Sequence, residues 1–293
     1  MNPKCDQIAD LLMNWSRSRL DEAAISWVDD RRTVISSGDK KGLFLAFGMA
    51  PRKVGKSDLM LNATELKQAE AVRHGWNPTG WSTDQAVRAL FVLSLPAQDS
   101  TAMVATLDQL FSTGEVGELV ALYQALPLLP HPSAHVLRAA EGIRTNIKAV
   151  FCAVAHQNPY PAELFSEDQW NQMVLKCQFI GVPMSPVRGL DQRANARLAA
   201  MVLDFIEERR AARRPVSPDM WRCVGRCADS RGIAELKTLL ETGSSVEKHA
   251  AALALSECPD PAANAILSTA PELAAQIDAG QISWKSIDAA NSN

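Results

Sequence analysis

The 293-residue chain lacks an excess of either charge: 30 basic residues stand against 33 acidic ones, for a formal net charge of −3. No global field therefore recruits nucleic acid or an anionic membrane. It also lacks any apolar run of about eighteen residues, so no membrane span is predicted. The opening Met1-Asn-Pro-Lys-Cys-Asp6 has no apolar leader core, and a cytoplasmic protein is expected. Cysteine is sparse. Cys5, Cys152, Cys177, Cys223, Cys227 and Cys258 are too scattered for a disulfide scaffold. Cys223 and Cys227 lie four apart, but no Cys-x-x-Cys or paired histidine accompanies them, and reduced, partly buried thiols are the reading.

Cofactor signatures are missing too, so no cofactor and no metal are expected. Ala50-Pro-Arg-Lys-Val-Gly55-Lys-Ser57 has the spacing of a phosphate-binding loop, yet Ala50 replaces its first glycine. No alternating series of strands and helices surrounds it. His131 and His135 flank a proline-rich break and read as a helix start, since a metal site needs further ligands. His156 and His249 lack the Glu-x-x-His spacing of a helical di-metal site.

What is present is apolar residues at helical spacing over most of the length. Hydrophobic residues make up 47%, enough for a sizeable core. Ile8, Leu11, Leu12 and Trp15 mark a first helix, and Asp21 can cap a second. Ser82 and Gln85 form a capping-box pair before Ala86, Ala89, Leu90 and Leu93. Further helices are predicted at 100–112, 115–127, 133–156 and 193–212, and one begins at Ser166. Alanine-rich helices after Asp229 read as packing and capping units. Leu43–Phe47 and Leu59–Leu61 are short apolar runs around a basic Gly- and Pro-bearing link, which predicts a β-hairpin near 43–61. The expected architecture is a mainly all-α single domain over 1–293. It is an irregular α-α stack of roughly twelve to fifteen helices, a HEAT-like superhelix with that one small hairpin.

The residues that could do chemistry crowd into 158–225. Trp170, Met173, Val174 and Cys177 share one helix face, leaving Asn171 and Lys176 elsewhere. Arg197, Asp204 and Glu208 fall in line beside the stripe of Leu198, Met201, Val202 and Phe205. Asn146, Trp170, Asn171, Lys176, Asp191, Arg193, Asn195, Asp204, Glu208, Trp221 and Arg222 make a candidate groove for a ligand or partner. A salt-bridged helix surface is the competing reading. The basic cluster Arg209–Arg214 complements the end of its helix.

Glu141-Gly-Ile-Arg-Thr-Asn146, Asn158-Pro-Tyr-Pro161, Trp170-Asn-Gln-Met-Val-Leu-Lys176, Gly189-Leu-Asp-x-Arg-Ala-Asn195 and Pro215-Val-Ser-Pro-x-Met-Trp-Arg222 together resemble the EboA family. Cys177 and Gln178 depart from the small or apolar residues expected there. The resemblance implies a bacterial protein encoded in a gene cluster that makes or moves a secondary metabolite. Its implied partners are other proteins of that cluster, a small metabolite, or both, and it supplies no catalytic residues. Two functions follow: a non-catalytic accessory, binding or scaffold protein, or an enzyme acting on a small polar or phosphorylated metabolite through the 146–222 groove.

Overall fold

The structure, a computed structural model, describes residues 3–291. Among them the chain forms eighteen α-helices and three short 3-10 turns. It divides into two compact units between Ser166 and Glu167.

Unit 1 contains α1 (Pro3–Arg17), α2 (Glu22–Ser36), α3 (Lys40–Val54), α4 (Ala63–Val72), α5 (Thr83–Leu93), α6 (Ser100–Thr113), α7 (Val116–Ala125), α8 (Val136–Arg144), α9 (Lys148–Ala155) and α10 (Tyr160–Leu164). Its hub is α5, which packs against α1, α2, α3 and α7. The Ser82–Gln85 capping box starts it, and Ala86, Val87, Ala89, Leu90, Phe91 and Val92 are all buried. A helix buried on every side is expected to be apolar all round. Arg88 and Asp84 break that rule and pair at 2.6 Å with side chains 4% and 6% exposed.

The expected hairpin is a helix. Asp39 caps α3 by accepting a hydrogen bond from Gly42 N at 3.0 Å. Leu43, Ala46, Phe47, Ala50 and Val54 then recur at helical spacing on the buried face, while Leu45 and Met49 stay exposed. The run Leu43–Phe47 hid this because four of its five residues are large and apolar, so period alone could not separate strand from helix. A single bridge pairs Asp58 with Ser82 here, and no strand forms among the described residues. Leu59 N donates to Trp81 O and Thr83 N to Ser57 O there, each at 2.8 Å. The phosphate-loop spacing lies at the C-terminal end of α3, where the helix dipole is negative and disfavours an anion.

Pro51 sits inside α3 and cannot donate to the carbonyl of Phe47. That carbonyl is used nonetheless: Arg88 Nε donates to Phe47 O at 3.0 Å, and the guanidinium lies 5.4 Å from the Phe47 ring centre. The buried arginine thus replaces the hydrogen bond that the proline removes.

Unit 2 contains α11 (Glu167–Ile180), α12 (Ala196–Ala211), α13 (Arg222–Gly225), α14 (Ser230–Thr242), α15 (Ser245–Glu257), α16 (Pro261–Leu267), α17 (Pro271–Asp278) and α18 (Trp284–Asn291). The alanine-rich α15 is its hub, with Ala250–Leu255 buried and α13, α14, α16, α17 and α18 around it. Small side chains permit very close approach. A Cβ added at Gly225 would meet Ala254 O at 2.6 Å, so α13 touches the α15 backbone directly.

Both units gather helices around one buried element. In a HEAT-like superhelix each repeat would contact only its neighbours in sequence, and that expectation is therefore corrected. The helix predicted over 133–156 is also broken. Thr145 Oγ1 accepts from Ile147 N at 3.1 Å, a local turn that ends α8 and precedes α9.

Candidate functional site

Most of the residues singled out in 170–222 converge on one loop of unit 2. Gly189 turns the chain with φ +80°, and its carbonyl accepts from Arg193 N at 2.9 Å. Alternate residues beyond it then bind different helices. The Asp191 carboxylate accepts two hydrogen bonds from Arg222, at 2.7 and 2.8 Å, in a bidentate pair. The Arg193 guanidinium lies 4.8 Å from the centre of the Trp170 ring. Asn195 and Asn171 exchange amide hydrogen bonds of 2.9 and 3.1 Å, and Asn195 Oδ1 also caps α12 by accepting from Leu198 N.

These contacts hold the loop down and use the polar groups on each other. Bonding from Arg222 holds the Asp191 carboxyl below its ordinary range, despite partial burial. Lys176 is half-buried on α11, and burial pushes its pKa down. Trp221 is a core residue, 1% exposed, with the Arg210 guanidinium 5.8 Å from its ring centre.

Within unit 2, Asp204 and Glu208 stand apart from that loop. Asp204 faces outward and pairs with Arg231 of α14 at 2.7 Å, and the same arginine reaches Glu207 at 3.0 Å. Glu208 is exposed one turn further along α12, and Arg197 pairs with Asp168 on an exposed surface. Asn146 is exposed in the α8–α9 connection and belongs to unit 1. A cleft of about 510 Å³ does open in unit 2, but Gln178, Arg209, Asp219 and Asp288 line it instead. Buried Asp219 accepts there from Gln178 Nε2 at 3.3 Å and Met184 N at 3.4 Å.

The arrangement the sequence reading missed is in unit 1. The loop after α4 runs Trp76-Asn-Pro-Thr-Gly-Trp81. It is anchored at Gly75, whose N–H bonds the Glu70 carboxylate and where a Cβ would come 2.9 Å from Pro159. Arg73 ties the same corner to Pro127 O at 2.8 Å and to the Glu163 carboxylate. Trp76 packs between Trp15 and Trp81, with ring centres 5.5 and 6.0 Å away.

Opposite this loop, α9 ends at His156 and Gln157. Gln157 takes the left-handed conformation, φ +51°, which turns the following Asn158 inward. Asn158 then donates to Tyr123 O and Ala153 O, at 3.0 and 2.9 Å, and accepts from Tyr160 N at 3.0 Å. The Asn158-Pro-Tyr-Pro161 motif is thus a fully bonded corner.

Between loop and corner lies a recess of about 180 Å³, lined by Trp76, Trp81, Gln124, Cys152, His156 and Gln157 among others. On residues that line it, the buried atoms Trp76 Nε1, Gln124 Oε1 and Gln157 Oε1 have no hydrogen-bond partner in the protein. Trp76 is only 2% exposed. Buried polar groups are normally satisfied, so leaving these three without a protein partner costs stability. Burial pushes the Cys152 thiol up, the reverse of what an activated nucleophile needs. The signal that could have found this place is two tryptophans five apart inside a Pro- and Gly-bearing loop, since so much aromatic surface needs a wall to cover it.

No curated protein matches the chain, and no solved structure does. A family model described as metabolite traffic protein EboA matches residues 8–225, which take in the recess, the Asn158 corner and the loop of Asp191 and Asn195. The match spans well over half of the chain, and the chain belongs to the EboA family.

Proposed function

We propose that this protein holds a small metabolite in the Trp76 recess, as a non-catalytic accessory component of a bacterial secondary-metabolite biosynthesis or trafficking gene cluster. The observation that carries the reading is a recess of about 180 Å³ walled by Trp76, Trp81, Gln124, His156 and Gln157. The family description, metabolite traffic, supports it from a second direction. Binding is favoured over catalysis because the thiol in the recess is displaced away from reactivity. The loop fixed by Asp191–Arg222 and Asn171–Asn195 is the surface we assign to a partner protein of the same cluster.

The test is a thermal-shift screen of small polar metabolites on wild type and Gln157→Gly. Glycine suits the left-handed backbone at 157, so the variant is expected to fold. A ligand at a hundred times its Kd stabilises by about 2.7 kcal/mol. Compounds that raise the wild-type Tm should raise the variant's less. Equal shifts for every stabilising compound would remove the recess from the reading, and turnover of a compound by the protein alone would replace carriage with catalysis.

A further inference from the structure

We propose that the exposed face of α3 docks an acidic amphipathic helix of a partner protein, an inference independent of the metabolite-binding reading above.

Charge comes first. α3 carries Lys40, Lys41, Arg52 and Lys53 and no Asp or Glu, in a chain whose formal net charge is −3. All four cations are exposed, and among the described residues none of them forms an ion pair. Arginines elsewhere in the unit are paired, as Arg32, Arg73 and Arg138 are. Arg52 and Lys53 complement the negative end of their own helix dipole. Lys40 and Lys41 do not: they stand in the first turn, at the positive end, where cations are disfavoured. An approaching carboxylate is attracted by both the lysines and the dipole.

Spacing comes second. Lys41, Leu45, Gly48 and Arg52 are separated by four, three and four residues, the spacing of a helix seam, so they form one line along α3. Met49 lies beside that line. Leu45 is 55% exposed and Met49 37%, while Leu43, Ala46, Phe47 and Ala50 fill the buried face. At 1.5 Å per residue the two cations of the line stand about 16 Å apart along the axis. A partner helix matches them with carboxylates at that separation and apolar side chains in between.

The glycine comes third. Glycine inside a helix is less stable than alanine. Packing within the protein does not require it here: a Cβ added at Gly48 would meet only Glu118 Oε1, at 3.5 Å, an ordinary contact. What the missing side chain permits is close approach of another backbone. That separates a crossing helix from an anionic membrane, which rewards apolar side chains and needs a broader stripe of them than Leu45 and Met49.

The experiment uses the full chain with its methionine methyl groups labelled with ¹³C, the Met49 signal being assigned by its loss in Met49→Leu. Three probes are titrated separately. The first is an alanine-based helical peptide with glutamates about 16 Å apart on either side of two central leucines. The second has lysines in place of the glutamates, and the third is vesicles of phosphatidylglycerol. The acidic peptide should move the Met49 signal to saturation, the lysine peptide should bind at least about tenfold more weakly, and vesicles should leave the signal unmoved. The double variant Lys41→Glu, Arg52→Glu should reverse the preference between the peptides. Gly48→Leu should weaken the acidic peptide by at least about tenfold while the free protein keeps its helical spectrum. Equal affinity for the two peptides overturns the proposal, as does acidic-peptide affinity unchanged in Gly48→Leu. A Met49 signal that moves with vesicles overturns it in favour of a membrane contact, and one that no probe moves overturns it outright.

Discussion

His135 is 1% exposed just before α8, and burial pushes its imidazole below the ordinary histidine pKa. The Pro130 carbonyl and Asp108 pull the other way, while His131 adds to the depression. The folded protein therefore keeps this ring neutral where the unfolded chain would already bind a proton. The stabilisation is fully present above about pH 6.5 and is lost as pH falls through the depressed folded value, at about 1.4 kcal/mol for each unit of displacement. Melting measured from pH 7.5 to 5 should show a steeper fall for wild type than for His135→Leu. Parallel curves would mean that the ring gains its proton without cost. The sequence placed His135 at a helix start, as found, but could not show its burial, because the residues covering it lie elsewhere in the chain.

At the scale of elements, α3 and α5 share one hydrogen bond that neither helix explains alone. Phe47 O has lost its own helix donor at Pro51 and takes Arg88 Nε instead. Arg88→Met should cost about 3 kcal/mol or more, because it also strands the buried Asp84 carboxylate. In a Pro51→Ala background residue 51 regains an N–H for Phe47 O, and the same substitution should cost about 1 kcal/mol less. A cycle of the four proteins in urea measures this coupling, and additivity within about 0.4 kcal/mol would refute the repair. Helix existence was largely legible from period and caps: Asp21 and Ser82 begin helices where the spacing put them. The hairpin error came from a run too uniformly apolar to show a period. The hub role of α5 was not legible, since Asp84 and Arg88 look like a solvated face until their partners are known. In the 170–222 stretch the spacing found residues that do meet, such as Asn171 with Asn195. It also put Asp204 and Glu208 with them, and adjacency along α12 says nothing about which neighbouring helix each side meets.

For the molecule as a whole, two hubs mean two cores. The family match runs from residue 8 to residue 225, so it takes in unit 1 almost entirely and stops in unit 2 before α15. Unit 1 encloses the recess and all its lining residues. A fragment of residues 1–166 should therefore melt cooperatively and keep a helical spectrum, as expected of a domain with its own core. A fragment without a thermal transition would show that the two cores are interdependent.

The indoles of Trp15, Trp76 and Trp81 form an optical unit, their neighbouring ring centres 5.5 and 6.0 Å apart. Chromophores that close share their excited states, so a rotation of the middle ring changes the near-ultraviolet dichroism and emission of the set. The middle ring, like that of Trp81, also lines the recess. Binding of the proposed metabolite beside these rings is therefore expected to change that near-ultraviolet signal without any added label.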